Sequence, residues 1–253
     1  MFAKKSLGQN FLISTQPVRR MIECAKVIAS DTVLEIGPGK GVLTKALLAT
    51  GARVIAVEKD DNLIPLLQVS FDAEIRTGQF TLIHGDVLTL FATHPALLTK
   101  GYKVVANIPY YITGEIIRMF LEAEIQPDTI ALLVQKEVAE RIVARDGKES
   151  ILSISVKAYG VPEYGGTVKK SLFRPIPNVD SAIIAIHHIT KALFVDKQVS
   201  ELRFFEVVKA GFAHKRKQLK NNLKGVIDDT KLESVGMRRA EELTVQEWIE
   251  LSA

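Results

Sequence analysis

Cysteine is almost missing from this chain: among 253 residues only Cys24 is present. No intrachain disulfide can form and a zinc site built on CxxC pairs is excluded, so a reduced, cytoplasmic protein is the expectation. Long apolar runs are missing too. The opening MFAKKSLGQNFLIS holds no unbroken hydrophobic stretch of the kind that directs secretion, and no later run approaches the roughly 18 residues needed to span a bilayer. No membrane partner is expected. Low-complexity tracts and internal repeats are also lacking, the 9 prolines and 16 glycines being scattered along the chain, which argues for folded domains throughout.

What is there is an ordinary globular composition, 47% hydrophobic and 25% charged, with a net charge of +4 and an isoelectric point near 9.0. So mild an excess of positive charge tilts toward an anionic partner, and where the charge sits matters more than its sum. The length suits one catalytic domain with a smaller appendage.

Val18, Ile22, Ala25 and Ala29 recur at helical spacing, which predicts an amphipathic helix over residues 16–29 with Cys24 as core filling. The rhythm then changes to short β-branched runs at 32–36, 53–58, 80–85, 103–107 and 129–135, alternating with helical stretches at 41–50, 60–70, 113–123 and 136–144. Strands apolar on both faces and separated by helices describe a parallel sheet covered on both sides, an α/β fold. IPNVDSAIIAIHHI contains a further strand, able to pair at a sheet edge or to complete the sheet. Residues 187–200 read as a connector, and from Glu201 the pattern is helical with a turn near Gly236. The expected division is therefore a domain over 1–190 and a small all-helical domain over 191–253.

In TVLEIGPGKGVLT a strand runs straight into Gly37, Gly39 and Gly41 and then into a helix. Glycine lets the backbone turn sharply and lets a ligand approach without meeting a β-carbon, a pattern compatible with NAD, FAD or S-adenosylmethionine. Glu58 ends the next strand, where a carboxylate accepts hydrogen bonds from both ribose hydroxyls; Asp86 ends the third, where one can meet an adenine amine. Either acid alone could equally be a helix N-cap. Together, on adjacent strands, they project into one crevice.

Directly after the fourth strand stands Asn107-Ile108-Pro109-Tyr110. The N6 nitrogen of adenine is a poor nucleophile because its lone pair is delocalised into the ring. Acceptors that hold the two N–H bonds favour a more tetrahedral, more reactive nitrogen. The Asn107 side-chain oxygen and the Ile108 carbonyl are such acceptors, and Pro109 fixes the backbone so that they converge. Tyr110 would lie over one face of a base that has left its stack.

With these residues assembled, the chain resembles the ribosomal small-subunit RNA adenine dimethyltransferases of the KsgA type along nearly its whole length. The blocks that carry the resemblance are KKSLGQNFL, EIGPGKGVLT, NIPYYIT, LFRPIPNVDSA and AGFAHKRKQLKNNL with RRAEEL. The resemblance implies a Rossmann-like, seven-stranded methyltransferase core with a small C-terminal helical domain that contacts RNA or the ribosome. It implies S-adenosylmethionine as cofactor, bound by Asn10, Leu12, Gly37, Gly39, Glu58, Asp86 and Asn107, and it suggests that Phe173 closes on the opposite face of the flipped adenine from Tyr110. Ile108 stands where leucine is usual in that family and is typical of the erythromycin-resistance methylases of large-subunit (23S) RNA. The contribution there is a backbone carbonyl, so no change in chemistry follows.

Between Val207 and Ile227 lie Lys209, Lys215, Arg216, Lys217, Lys220 and Lys224 and no carboxylate, a block suited to an RNA backbone, with Lys215, Arg216, Lys217 and Lys220 as its centre. It favours the small-subunit enzyme over the 23S relative. Lys4, Lys5, Lys169, Lys170 and Arg174 are expected to extend the positive surface. His187 and His188 are neighbours in a strand, pointing to opposite faces, and no metal site is expected. The implied partner is 16S-type RNA, with two adjacent adenosines near its 3′ end, inside an immature small subunit, and the chain is expected to be a monomer. The rival readings are an assembly or RNA-binding factor with secondary catalysis, and a nicotinamide-dependent oxidoreductase.

Overall fold

The computed structural model describes residue 4, residues 8–90, residue 94 and residues 97–253. The first elements are a two-residue strand β1 (Phe11–Leu12) and helix α1 (Thr15–Ala25). Ser14 starts the helix by accepting the Gln16 N–H through its side chain, and Lys26, in the left-handed region at φ 50°, stops it. The helix therefore ends short of the expected residue 29: Ala29 is exposed beyond the stop, and the buried stripe is Pro17, Val18, Met21 and Ala25. Cys24 is half-buried against this core.

There follow β2 (Thr32–Ile36), α2 (Val42–Leu48), β3 (Arg53–Glu58), α3 (Ile64–Ser70), α4 (Asp72–Thr77), β4 (Phe80–His84), β5 (Lys103–Asn107), α5 (Thr113–Glu122), β6 (Thr129–Gln135), α6 (Lys136–Ile142), α7 (Ile151–Lys157), β7 (Val161–Val168), β8 (Phe173–Arg174) and β9 (Ser181–His187). One seven-stranded sheet takes the order β4-β3-β2-β5-β6-β9-β7. The pairs β2–β3, β2–β5, β3–β4 and β5–β6 are parallel, and β9 runs antiparallel to β6. All seven residues of β9 are buried, so this strand completes the sheet from within, and β7 takes the edge. Strands buried on both faces explain the unalternating apolar runs of the sequence.

From β2 the chain lays its next strands to one side of the sheet, and from β5 it lays them to the other. The carboxyl ends of β2 and β5 are neighbours at that reversal, the place where open α/β sheets hold ligands. The short ribbon of β1 and β8 pairs Phe11 with Arg174 and Leu12 with Phe173. Residues directly opposite share a face, and here Leu12 and Phe173 both turn into the hydrophobic core.

The chain divides into two compact units, residues 1–139 with 163–189, and residues 140–162 with 190–253. The second joins α7 to α8 (Ala192–Asp196), α9 (Glu201–Gly211), α10 (Leu219–Asn222), α11 (Asp229–Val235) and α12 (Val245–Ser252). Its core includes Tyr159, Phe194 and Phe204, with Tyr159–Phe194 and Phe194–Phe204 ring centroids 5.2 and 5.4 Å apart, and Trp248, fully buried and 5.6 Å from the Phe212 ring. Gly211 faces the Trp248 ring so closely that a β-carbon would have no room. Among the described residues no helix is long and apolar enough to cross a membrane.

Candidate active site

A cavity of about 340 Å³ opens at the carboxyl ends of β2, β3, β4 and β5, within the range typical of small-molecule sites. Asn10, Leu12, Gly37, Gly39, Glu58, Asp86, Asn107, Ile108, Pro109 and Tyr110 all line it. Residues up to a hundred positions apart are thus brought to one space by strand order alone.

The glycine loop after β2 is a tight turn in which the Gly41 N–H donates to Pro38 O at 2.9 Å. Gly39 and Gly41 sit at φ 60° and 79°, a region costly for any residue with a β-carbon. At Gly41 such a carbon would also strike the Phe71 ring. The Gly39 N–H donates to Glu58 Oε2 at 3.1 Å and the Asp60 N–H to Glu58 Oε1 at 2.7 Å. The first bond ties the loop to the end of β3, and the second fixes the carboxylate that receives it. Burial pushes the Glu58 carboxyl up, and the backbone donors pull against it.

The amino-terminal arm is held over the same edge. Gln9 Nε2 donates to Asp60 Oδ2 at 2.8 Å, and Lys4 Nζ lies 2.7 Å from Asp60 and 2.8 Å from Asp61. Burial raises the Asp60 carboxyl, but Lys4, Gln9 and the Asn62 N–H outweigh it and hold it at about 2. Lys4 is thereby neutralised rather than added to a positive rim, and Lys169, 3.2 Å from Asp180, is offset in the same way. Arg174 donates to the Phe173 and Ser171 carbonyls, and Lys170 Nζ to Asn178 O. Lys5 lies outside the described residues.

Asp86 caps a turn and also stands on the cavity wall. Its Oδ1 accepts the Leu88 N–H at 3.1 Å, capping the turn after β4, while the residue also lines the cavity. The Lys59 ammonium, 2.6 Å from Oδ2, holds the carboxyl below its usual range.

Asn107 ends β5 with its Nδ2 donating to Asn10 O at 3.2 Å. That bond uses the donor half of the carboxamide and orients the group; Oδ1 has no partner among the described residues. Pro109, at φ −58°, turns the chain into the short helical turn of residues 110–112, and Tyr110 follows, half-buried, its hydroxyl 2.6 Å from Ser181 Oγ. Phe173 departs from expectation. Its side chain is fully buried in the core and is absent from the cavity wall, because its pairing with Leu12 on β1 turns it inward.

Glu35 was not among the residues singled out from the sequence. It is 1% exposed, yet it borders the cavity. Thr44 Oγ1 donates to its Oε2 at 2.7 Å, while Oε1 is buried and has no partner among the described residues. Burial pushes its carboxyl to about 8. An acid inside a strand apolar on both faces was the signal available, since an unpaired buried carboxylate is costly unless a ligand uses it. Below about pH 4.5 folded and unfolded chains both carry this proton; between 4.5 and 8 only the folded chain keeps it, so the stability Glu35 contributes declines as pH rises through that window. Relative to the parent, Glu35→Gln is expected to gain roughly 3 kcal/mol between pH 5 and pH 8, while binding cofactor more weakly. Urea titrations at each pH would check this, and parallel stability curves would rule it out.

In the second unit, residues 212–218 leave helical form between α9 and α10. Asn222 Nδ2 donates to Gly211 O at 2.6 Å and to His214 O at 3.2 Å, and the Lys217 N–H closes on His214 O at 3.0 Å. The result is a braced turn carrying Lys215, Arg216 and Lys217, all exposed, with Lys209, Lys220 and Lys224 exposed nearby in sequence.

A family model described as ribosomal RNA adenine dimethylase matches residues 2–251. A Dehalococcoides mccartyi protein named ribosomal RNA small subunit methyltransferase A is 41% identical over 258 residues, covering 98% of this chain and 87% of that protein. A dimethyladenosine transferase from Plasmodium falciparum superposes with a TM-score of 0.80 at 25% identity, covering 95% of each chain. The 23S rRNA methyltransferase ErmE gives a TM-score of 0.77 at 24% identity over 96% of this chain and 98% of its own, a likeness of fold.

Proposed function

Because the chain belongs to the ribosomal RNA adenine dimethylase family, we propose that it transfers methyl groups from S-adenosylmethionine to N6 of adenosine in small-subunit ribosomal RNA. The observation that carries this reading is the Asn107 carboxamide, pinned through its nitrogen to Asn10 O and lining one cavity with the glycine loop, Glu58 and Asp86. A hydride-transfer site has no use for such an acceptor. Identity of 41% to a small-subunit enzyme against 24% to ErmE favours the small-subunit substrate over 23S RNA.

The residues fit the cofactor on three counts. Glu58 keeps lone pairs for two ribose hydroxyls beyond its backbone bonds, Asp86 stands where an exocyclic amine needs an acceptor, and Glu35 borders the same space with an Oε1 that no described residue partners. S-adenosylmethionine supplies an electrophilic methyl carbon on a sulfonium. The protein does the rest on the nucleophile. Asn107 Oδ1 and the Ile108 carbonyl accept the two N6 hydrogens and draw the nitrogen toward tetrahedral geometry. Pro109 keeps the two oxygens convergent. Tyr110 offers a face on which the extruded base stacks, worth roughly 1 to 3 kcal/mol, which is comparable to the cost of unstacking. Each round forms an N6–C bond as the bond from that methyl carbon to sulfur breaks, and releases one N6 proton to water; two rounds at one nitrogen, the second with a single N–H left to be accepted, yield dimethyladenosine.

Lys215, Arg216, Lys217 and Lys220 serve in this reading as contacts for the RNA backbone. The resemblance evident in the sequence motivates the finer substrate: two adjacent adenosines near the 3′ end of 16S-type RNA, inside an immature small subunit, acted on by a monomer in the cytoplasm. Incubating the protein with methyl-labelled cofactor and undermodified small subunits, then mapping the RNA by mass, tests it. Label at N6 of adenosine in the small-subunit RNA is the expected result; label confined to 23S RNA, or none, would overturn it.

A further inference from the structure

LFRPIPNVDSA stands out in the sequence, yet the aromatic side chain that drew attention to it, Phe173, is buried in the core. A different residue of the same block touches a side chain of the cavity wall, Tyr110, from behind. Ser181 begins β9 opposite Gln135, the last residue of β6, and so lies at the same sheet edge as Asn107 at the end of β5. It is fully buried, the one hydroxyl in a strand otherwise apolar as far as His187. Among the described residues the partner of its Oγ is the Tyr110 hydroxyl at 2.6 Å. A buried hydroxyl in an apolar strand is unfavourable unless its hydrogen bond is used.

Resting on the reading that Tyr110 stacks on the target base, we propose that Ser181 is a positioning residue that holds the Tyr110 ring in place for methyl transfer. The phenolic oxygen lies on the axis about which the ring turns. A bond at that oxygen therefore fixes where the ring points and leaves its plane to the packing around it. Tyr110 needs this restraint because it sits in a short turn after Pro109 and is only half-buried. Ser181 can supply it because its own backbone is anchored: the preceding Asp180 accepts the Lys170 N–H at 2.9 Å through Oδ1 and the Lys136 N–H at 3.1 Å through its carbonyl. Burial raises the Tyr110 hydroxyl above its ordinary pKa, so it keeps its proton and stays a partner for Oγ across the working range.

The experiment is a double-mutant cycle on the full chain, using labelled methyl transfer to undermodified small subunits under saturating cofactor. Ser181→Ala and Tyr110→Phe remove the same bond from opposite sides. Each is expected to lower kcat about 10-fold with KM for RNA changed less than about twofold, and the double variant is expected to be no slower than either single one. Thermal midpoints of all three check that folding is intact. Should Ser181→Ala keep more than half of the parent kcat, or should the two losses multiply, the assignment is overturned. Tyr110→Ala separates the causes. If it abolishes transfer while Ser181→Ala is harmless, the positioning role alone is wrong. If Tyr110→Ala itself transfers at the parent rate, the stacking reading fails and the role of Ser181 fails with it.

Discussion

Asn107→Ala is expected to lower methyl transfer about 1,000-fold, the scale on which loss of one well-placed polar group in an enclosed site acts, while RNA affinity stays within about twofold. The side chain does two jobs at once. Its nitrogen is spent on Asn10 O at 3.2 Å, and that bond decides which atom is left for the substrate. Alanine removes the acceptor and leaves the adenine amine with one oxygen partner in place of two. Loss of a single partly buried hydrogen bond costs about 1 kcal/mol of stability, too little to unfold the chain. Asn107→Asp sharpens the test, because it keeps an acceptor but sets a second oxygen against the Asn10 carbonyl. Its activity is expected to stay well below that of the parent. Single-turnover transfer of labelled methyl, with RNA binding measured in parallel, reads both variants. Equal losses of RNA binding and transfer would mean that Asn107 acts in folding or docking.

The second large effect belongs to the cationic turn. Lys215, Arg216 and Lys217 are exposed on a loop braced by Asn222, and among the described residues none of the three has a carboxylate partner. Replacing all three by alanine is expected to weaken RNA binding about 100-fold near physiological salt and to flatten the slope of log affinity against log salt by about 2 to 3. The thermal midpoint should hardly move, because no core packing or ion pair is lost, and cofactor affinity should not move at all. A filter-binding series from low to high salt checks it; an unchanged slope would show that the phosphates are met elsewhere. In contrast, Lys4 and Lys169 already face Asp60 and Asp180, so alanine at either position is expected to leave that slope unchanged.

Much of the site is legible in the sequence. Local patterning suffices where the chemistry lies in consecutive residues. The turn at Gly37, Gly39 and Gly41 follows from backbone freedom, and Asn107 to Tyr110 follows from what an amine bound for methylation requires. Strands apolar on both faces announced a covered parallel sheet, and acids at the ends of β3 and β4 had to emerge at one edge. The arm residues Asn10 and Leu12 carry no periodic signal of their own. They were reached through family resemblance, and Asn10 owes its part to a carbonyl that accepts from a side chain 97 positions away.

By itself, then, the order of residues determined the strands, the glycine turn, the acceptor segment and the cationic block, since each depends on neighbours close along the chain. Which side chains those elements turn toward one another was decided only in three dimensions. Phe173 faces the core because β8 pairs with β1 in a register that aligns it with Leu12, and a shift of one residue would have turned it outward. Ser181 meets Tyr110 because β9 enters the sheet next to β6. Glu35 is pushed to about 8 because both faces of β2 are covered. Register, strand order and burial are set by contacts between distant segments, and no window of sequence contains them.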